Sequence, residues 1–237
     1  MDQHTHGTSS RELQMARSMC WHCQSAVTGE YFCERCVKVQ PVSKDTDYFT
    51  CLGLPRRLTV DLSQLEAKFY ELSRAFHPDF YLNKSETEQA ISLGNAATLN
   101  SAYRTLRDPI QRAEYLLDLE AGAVKEIRTS PPADLFEDIL QLQETLDAYR
   151  ATDRTSEPAQ TLRTELQAAK NALEQRQQEM DRQLLQLFTE WDTLQDRGEA
   201  TDQTRSMREG ILRRMREILS NRTYVKNIVN DLVTTIG

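Results

Sequence analysis

The 237-residue chain is acidic, with a formal charge of -7, 39% hydrophobic and 27% charged residues, and aromatics at only 7%. Its charge is spread as +1 over residues 1–44, -4 over 45–122 and -4 over 123–237, so no half is basic and bulk nucleic-acid affinity is disfavoured. No apolar run approaches the roughly 20 residues that span a bilayer, and the first twenty residues lack the apolar core of a secretory signal, so the chain is expected to be soluble, without a membrane partner, and cytoplasmic, or in the mitochondrial matrix if its source is eukaryotic.

Residues 1–18 are polar and read as a flexible tail, with His4 and His6 solvated. Cys20, Cys23, Cys33 and Cys36 follow in a C-x2-C, nine residues, C-x2-C arrangement that defines a module over residues 19–41. Two such pairs suit a tetrahedral thiolate site, because each pair supplies two sulfurs from one knuckle and Gly29 helps the loop between them fold back. A structural zinc is the first choice for its cofactor, with iron of rubredoxin or cluster type as the alternative. A dithiol redox role for CWHC is a further reading, but no strand–helix–strand pattern surrounds it and the second pair is left unexplained. His22 is expected to be exposed rather than a fifth donor, and Cys51, among Phe49, Leu52 and Leu54, to be a small core residue. On chelation only this module is expected to unfold, the helical parts having cores of their own.

From Asp61 the periodicity is helical, with Leu62, Leu65, Phe69, Leu72 and Phe76 recurring at threes and fours and Asp61 with Gln64 in the form of a capping box. The pattern stops at His77-Pro78-Asp79. A second helix of matched length follows the polar stretch from Asn83 to Thr87, marked by Ile91, Ala96, Leu99, Tyr103 and Leu106, and Asp108-Pro109 opens a short third one. Residues 122–132 are the candidate linker. Beyond them Leu135, Ile139, Leu142, Leu146 and Tyr149 mark one helix, and a seam from Leu162 to Leu194 marks a long one, on the order of 50 Å. The chain reverses near Gly198 and Thr201, and Ile211, Met215, Ile218, Val225, Ile228 and Leu232 line the last helix. The expected fold is all-α: a helical hairpin over residues 45–121 and an antiparallel three-helix bundle over 133–237, preceded by a small zinc-knuckle module.

The order helix, His-Pro-Asp, helix is similar to a J-domain. The runs LNSAYRTLRDPIQRAEYLL and DYFTCLGLP resemble the HscB family of iron–sulfur co-chaperones, most strongly over residues 47–117, and the cysteines resemble the N-terminal metal-binding extension that some members carry. The resemblance implies a J-domain co-chaperone, not an enzyme, that brings an IscU-type scaffold protein holding a nascent cluster to a DnaK/HscA-type ATPase and stimulates that ATPase. His77, Pro78 and Asp79 would contact the ATPase, helped by Lys68 and Arg74, although Glu66 and Glu71 dilute that patch; Arg56 and Arg57 would extend it. The client face would comprise Phe136 and Leu140 as apolar contacts and Glu137, Gln141 and Glu144 as polar ones, with a family aromatic of the last helix falling at Arg214 or Met215. Self-association is a further possibility.

The competing reading is a zinc-binding helical adaptor without chaperone activity, and the third is a redox or iron electron carrier. No serine or cysteine sits in a recognisable base and oxyanion context and no phosphate-binding glycine loop occurs, so nothing supports a hydrolase.

Overall fold

The computed structural model describes residues 18–27, 31–121, 135–198 and 201–236. The tail with His4 and His6, Gly29 and the candidate linker 122–132 lie outside the described residues. Among the described residues the fold is all-α apart from an antiparallel pair, β1 (Ser18–Met19) with β2 (Ala26–Val27), in the register Ser18 to Val27 and Met19 to Ala26, and a single bridge between Phe32 and Val39. It divides into two compact units, residues 1–56 with 60–108 and residues 57–59 with 109–237.

The first unit holds the cysteine module, α1 (Tyr48–Cys51), α2 (Leu62–Ala75), a 3-10 turn (Pro78–Tyr81) and α3 (Glu86–Arg107). Asp47 caps α1 by accepting from the Thr50 amide, and Asp61 caps α2 by accepting from the amides of Ser63 and Gln64. The two-sided box read at Asp61 and Gln64 is found instead at the start of α3: Ser85 accepts from the Glu88 amide while the Glu88 carboxylate accepts from the Ser85 amide. Helices α2 and α3 are not matched in length, at 14 and 22 residues. Leu65, Leu72, Phe76, Leu99, Ala102 and Leu106 are buried, Phe69 stacks on Tyr103 with centroids 4.1 Å apart, and Leu62 is exposed.

The buried face of α3 is not the one that its apolar spacing suggests. Glu88, Ser92 and Asn95 are buried in line with Leu99, Ala102 and Leu106, whereas Ile91, Ala96 and Tyr103 are only half-buried. The spacing of four, three, four, three and four keeps all six on one side of the helix.

In the second unit lie α4 (Pro109–Ala121), α5 (Phe136–Ala151), α6 (Glu157–Arg197) and α7 (Asp202–Ile236). The compact division thus groups α4 with the bundle, where the domain reading keeps it with the hairpin. At 41 residues α6 is about 60 Å long. Ser156 caps its start, and Gly198, at φ +64°, closes it in the left-handed conformation that glycine adopts without steric cost. Leu142, Leu146 and Tyr149 of α5, Leu166, Leu173 and Met180 of α6, and Val225, Val229 and Leu232 of α7 form one apolar core. Further along, Leu184, Leu187, Phe188 and Trp191 of α6 are buried, as are Ile211 and Met215 of α7 and Ala113 and Leu116 of α4.

Residues 57–59 are fastened to this unit by buried polar contacts. The Leu58 and Thr59 amides donate to the two carboxylate oxygens of Asp192 at 2.9 and 2.8 Å, and Arg112 Nε donates to the Leu58 carbonyl at 2.8 Å. Arg57 pairs with Asp196. Asp192 is itself buried, so its removal strands the buried Leu58 amide. Asp192→Ala is therefore expected to lower the unfolding free energy by roughly 2–3 kcal/mol, read by urea denaturation followed by circular dichroism.

Candidate functional site

The cysteine module consists of two knuckles of the same local design. In each, the first cysteine's amide donates to a carbonyl five residues on, Cys20 to Ser25 at 2.8 Å and Cys33 to Lys38 at 2.9 Å. Its carbonyl accepts from the residue after the second cysteine, Gln24 at 3.1 Å and Val37 at 2.7 Å. Those two residues have φ of +58° and +57°. Left-handed backbone costs an L-residue about 1–2 kcal/mol, and for the β-branched Val37 it is a clear outlier, so the surroundings must hold both turns in place.

The turns converge on four sulfurs, of Cys20, Cys23, Cys33 and Cys36, all within 4.8 Å of one another. Across the knuckles Cys20 Sγ lies 3.6 Å from Cys36 Sγ and Cys23 Sγ 3.7 Å from Cys33 Sγ, and all five cysteines of the chain are free thiols. Zinc–sulfur bonds of about 2.3 Å in a tetrahedron put sulfurs about 3.8 Å apart, so the observed spacing fits such an ion. Donors surround the sulfurs: the His22 amide and Gln40 Nε2 each reach Cys20 Sγ at 3.4 Å. The Ser25 hydroxyl, with the Ser25 amide, draws the Cys23 thiol below its ordinary value. The same hydroxyl, with the amides of Cys36 and Arg35, holds the Cys33 thiol down to about 6, while burial pushes that of Cys36 up to about 12. The donor set is thus part-way to the thiolate state that a metal needs, and filling it expels the remaining protons. His22 is exposed and Cys51 is a core residue whose thiol burial pushes up to about 11.

Among the described residues the module's own apolar cluster is small, Cys20, Val27 and Cys33 with Cys23 and Cys36 packed against them. The module leans on the hairpin instead. Lys38 Nζ donates to the buried Glu88 carboxylate at 3.0 Å; Asn95 Nδ2 donates to the Gln40 carbonyl at 2.8 Å and its Oδ1 accepts from the Val42 amide at 2.9 Å. The Tyr31 ring meets the Phe76 ring edge-on at 5.1 Å and Phe32 stacks on it at 6.3 Å. These residues were missed by sequence reasoning. Their signal is the polar spacing Glu88, Ser92, Asn95 on one helical face, which a search for apolar periodicity passes over.

His77, Pro78 and Asp79 stand at the turn between α2 and α3. Phe76, just before them, is fully buried, and its carbonyl accepts from Ser92 Oγ at 2.8 Å. The His77 and Asp79 side chains are 53% and 75% exposed. His77 caps the 3-10 turn, its Nδ1 accepting from the Asp79 amide at 3.3 Å, and Pro78 occupies the first position of the turn. Phe80 and Leu82, on the same turn, are exposed. On α2, Lys68 pairs with Glu71 at 2.8 Å while Arg74 is exposed. Of the two residues that would extend this basic patch, Arg56 binds the buried Asp47 carboxylate through Nε at 3.1 Å and Nη2 at 2.8 Å, and Arg57 pairs with Asp196.

On α5 the core stripe is Ile139, Leu142, Leu146 and Tyr149, and Phe136, Glu137, Leu140, Gln141 and Glu144 are all exposed on the opposite side. Phe136 and Leu140 keep 55% and 51% of their surface in solvent. The suggested positions on α7 do not supply an aromatic contact: Met215 is fully buried and Arg214 pairs with Glu190 of α6, whereas the aromatic of α7, Tyr224, is half-buried.

With this geometry in hand, the likeness to known proteins is informative. The iron–sulfur cluster co-chaperone protein HscB of Mus musculus is 32% identical over 124 residues, 51% of this chain and 53% of that protein. The co-chaperone protein HscB of Proteus mirabilis (strain HI4320) is 40% identical over 102 residues, 43% of this chain and 59% of that protein. The crystal structure of human co-chaperone protein HscB superposes with a TM-score of 0.64 at 23% identity, covering 92% of this chain and 98% of that one.

The chain is similar to the HscB co-chaperones over about half of its length.

The matched stretches span between about half and three fifths of these curated HscB proteins, and the human structure shares the all-α fold. No family model matches the chain. Among the described residues no helix is long and apolar enough to cross a membrane.

Because Phe136 and Leu140 are outside the core, the double variant Phe136→Ala with Leu140→Ala is expected to change the unfolding free energy by less than about 1 kcal/mol, as exposed positions do. A thermal melt displaced by tens of degrees would place both side chains in the core after all.

Proposed function

We propose that this protein is a J-domain co-chaperone of iron–sulfur cluster assembly, which carries a scaffold protein to a DnaK/HscA-type ATPase and stimulates ATP hydrolysis there. The observation that carries the reading is the contrast at the end of α2: Phe76 is fully buried while His77 and Asp79, one and three residues later, face solvent on a proline-stiffened turn. A helix stop needs no exposed His and Asp held in fixed geometry. Such a loop suits a contact that biases a partner's conformational equilibrium, with no chemistry of its own. Lys68 and Arg74 on α2 flank it, and Phe136, Glu137, Leu140, Gln141 and Glu144 form the client face. The IscU-type scaffold holds the cluster as cargo. In domain terms residues 45–121 act as the J-domain and 133–237 as the client-binding bundle.

The four thiolates are assigned to one structural zinc per chain. A four-sulfur tetrahedron is closed, so a metal there holds the knuckles together and has no position for substrate. Zinc would supply the module with folding energy, while Ser25, Gln40 and the knuckle amides orient and polarise the ligands.

His77→Gln is expected to abolish stimulation of a DnaK-type ATPase in single-turnover hydrolysis, with helicity and scaffold binding at parent levels. Full stimulation by the variant would leave the His as a mere helix end. Phe136→Ala with Leu140→Ala is expected to weaken scaffold binding by a few kcal/mol in calorimetric titration, as loss of anchor residues does. For the metal, Cys20→Ser is expected to lower zinc content below one per chain by elemental analysis; parent-level zinc in that variant contradicts a four-thiolate site.

A further inference from the structure

We infer that the cysteine module and the α2–α3 hairpin are one cooperative unit, in which metal occupancy of the four thiolates sets the order of the turn that carries His77, Pro78 and Asp79. This is the reverse of a module that unfolds alone on chelation.

Two independent routes connect the sulfurs to the turn. One is polar. Gln40 Nε2 donates to Cys20 Sγ at 3.4 Å and to the Lys38 carbonyl at 2.8 Å, the Gln40 carbonyl accepts from Asn95, and Lys38 reaches Glu88. Between Glu88 and Asn95 on the same face of α3 sits Ser92, whose hydroxyl holds the Phe76 carbonyl. The other route is apolar. Phe32, the neighbour of Cys33, and Tyr31 cover the ring of Phe76, the residue directly before His77.

The energetics run one way. Among the described residues the module's apolar cluster is Val27 and the four cysteines themselves, and Gln24 and Val37 are in left-handed conformation, so the module depends on sulfur ligation to stay closed. If it opens, Phe76 loses its cover, the buried Glu88 carboxylate keeps Ser85 but loses its Lys38 cation, and Asn95 loses its bond to the Gln40 carbonyl. The strain then falls on the residues that fix the turn. Tyr31, Phe32, Glu88 and Asn95 are thus positioning residues for the loop. The consequence that metal loss also lowers ATPase stimulation rests on the co-chaperone reading above, whereas the structural coupling does not.

The test is amide hydrogen exchange on the full chain, zinc-loaded and after stripping by a chelator at the same pH. Peptides from residues 20–40 and from 76–92 are expected to lose protection together, by about tenfold or more, while peptides from α6 and α7 stay unchanged. Loss of protection confined to residues 20–40 overturns the inference. A chain that takes up no zinc overturns it together with the metal assignment. The double variant Lys38→Met with Asn95→Ala cuts the polar route and leaves all four cysteines: it is expected to keep one zinc and still exchange faster than the parent over 76–92. Parent-like exchange there, with zinc bound, also overturns the coupling. Failure of the co-chaperone reading is seen separately, as a parent protein that stimulates no DnaK-type ATPase while the exchange result stands.

Discussion

A helix that buries a carboxylate, a hydroxyl and a carboxamide must find partners for them, and on α3 this demand fixes the layout of the whole first unit. Glu88, Ser92 and Asn95 occupy the same buried face as Leu99, Ala102 and Leu106. The apolar half packs as an ordinary core. The polar half is satisfied by the Phe76 carbonyl and by Lys38 and the main chain of the cysteine module, at distances of 2.8–3.0 Å. Each bond is modest in net terms, about 1 kcal/mol, but leaving any of these groups unpaired costs more than the bond is worth, so register between module and helix is specified more sharply than apolar contact alone would do. Lys38 holds the Glu88 carboxyl below its usual range. A depressed carboxyl pKa stabilises the fold above the unfolded value and is lost as the pH falls through the folded one, so this link is complete at neutral pH and fails only in acid.

The second unit shows the complementary device, a helix with less core to fill than apolar residues to offer. The narrow stripe of α5 is complete with Ile139, Leu142, Leu146 and Tyr149 against α6 and α7. Phe136 and Leu140 have no place in it and stay in solvent, flanked by Glu137, Gln141 and Glu144. Two large apolar groups a helical turn apart, ringed by polar ones, make the kind of surface from which interface anchors are drawn.

Much of this was legible in the sequence because it obeys simple spacing. The C-x2-C pairs brought four sulfurs together as their pattern requires, and the long seam of α6 was readable since Leu166, Leu173, Leu184 and Leu194 keep one face over 41 residues. Single-helix patterns say nothing about partners, and there the reading fell short. On α3 the apolar markers Ile91, Ala96 and Tyr103 pointed beside the true face, because half of that face is polar and its partners lie some fifty residues away in the chain. The carboxylates that pair with Arg56 and Arg57, of Asp47 and Asp196, are 9 and 139 residues distant and were likewise not legible from spacing. The capping box was assigned to Asp61, although Ser85-x-x-Glu88 fits the rule better, with the hydroxyl and carboxylate that the reciprocal bonds need.

The exposed turn can be taken one step further from its hydrogen bonds. His77 Nδ1 accepts from the Asp79 amide, so in the neutral ring the proton resides on Nε2. Asp79 offers its carboxylate to solvent beside it, with Oδ2 at 3.6 Å from the same Nδ1. Pro78 fixes φ between them and removes an amide that would otherwise need a partner. The loop therefore presents one donor and one acceptor at a set separation, anchored on one side by the buried Phe76 and on the other by the Ser85 and Glu88 box at the start of α3. A general acid or base would need a reacting group within reach and shelter from water. A binding element needs only that its groups be pre-arranged, since order already present in the free protein is order that binding does not have to create. The Ser92 bond and the aromatic cover of Tyr31 and Phe32 contribute to that pre-arrangement, and the Phe80 ring meets the His77 ring edge-on at 5.9 Å.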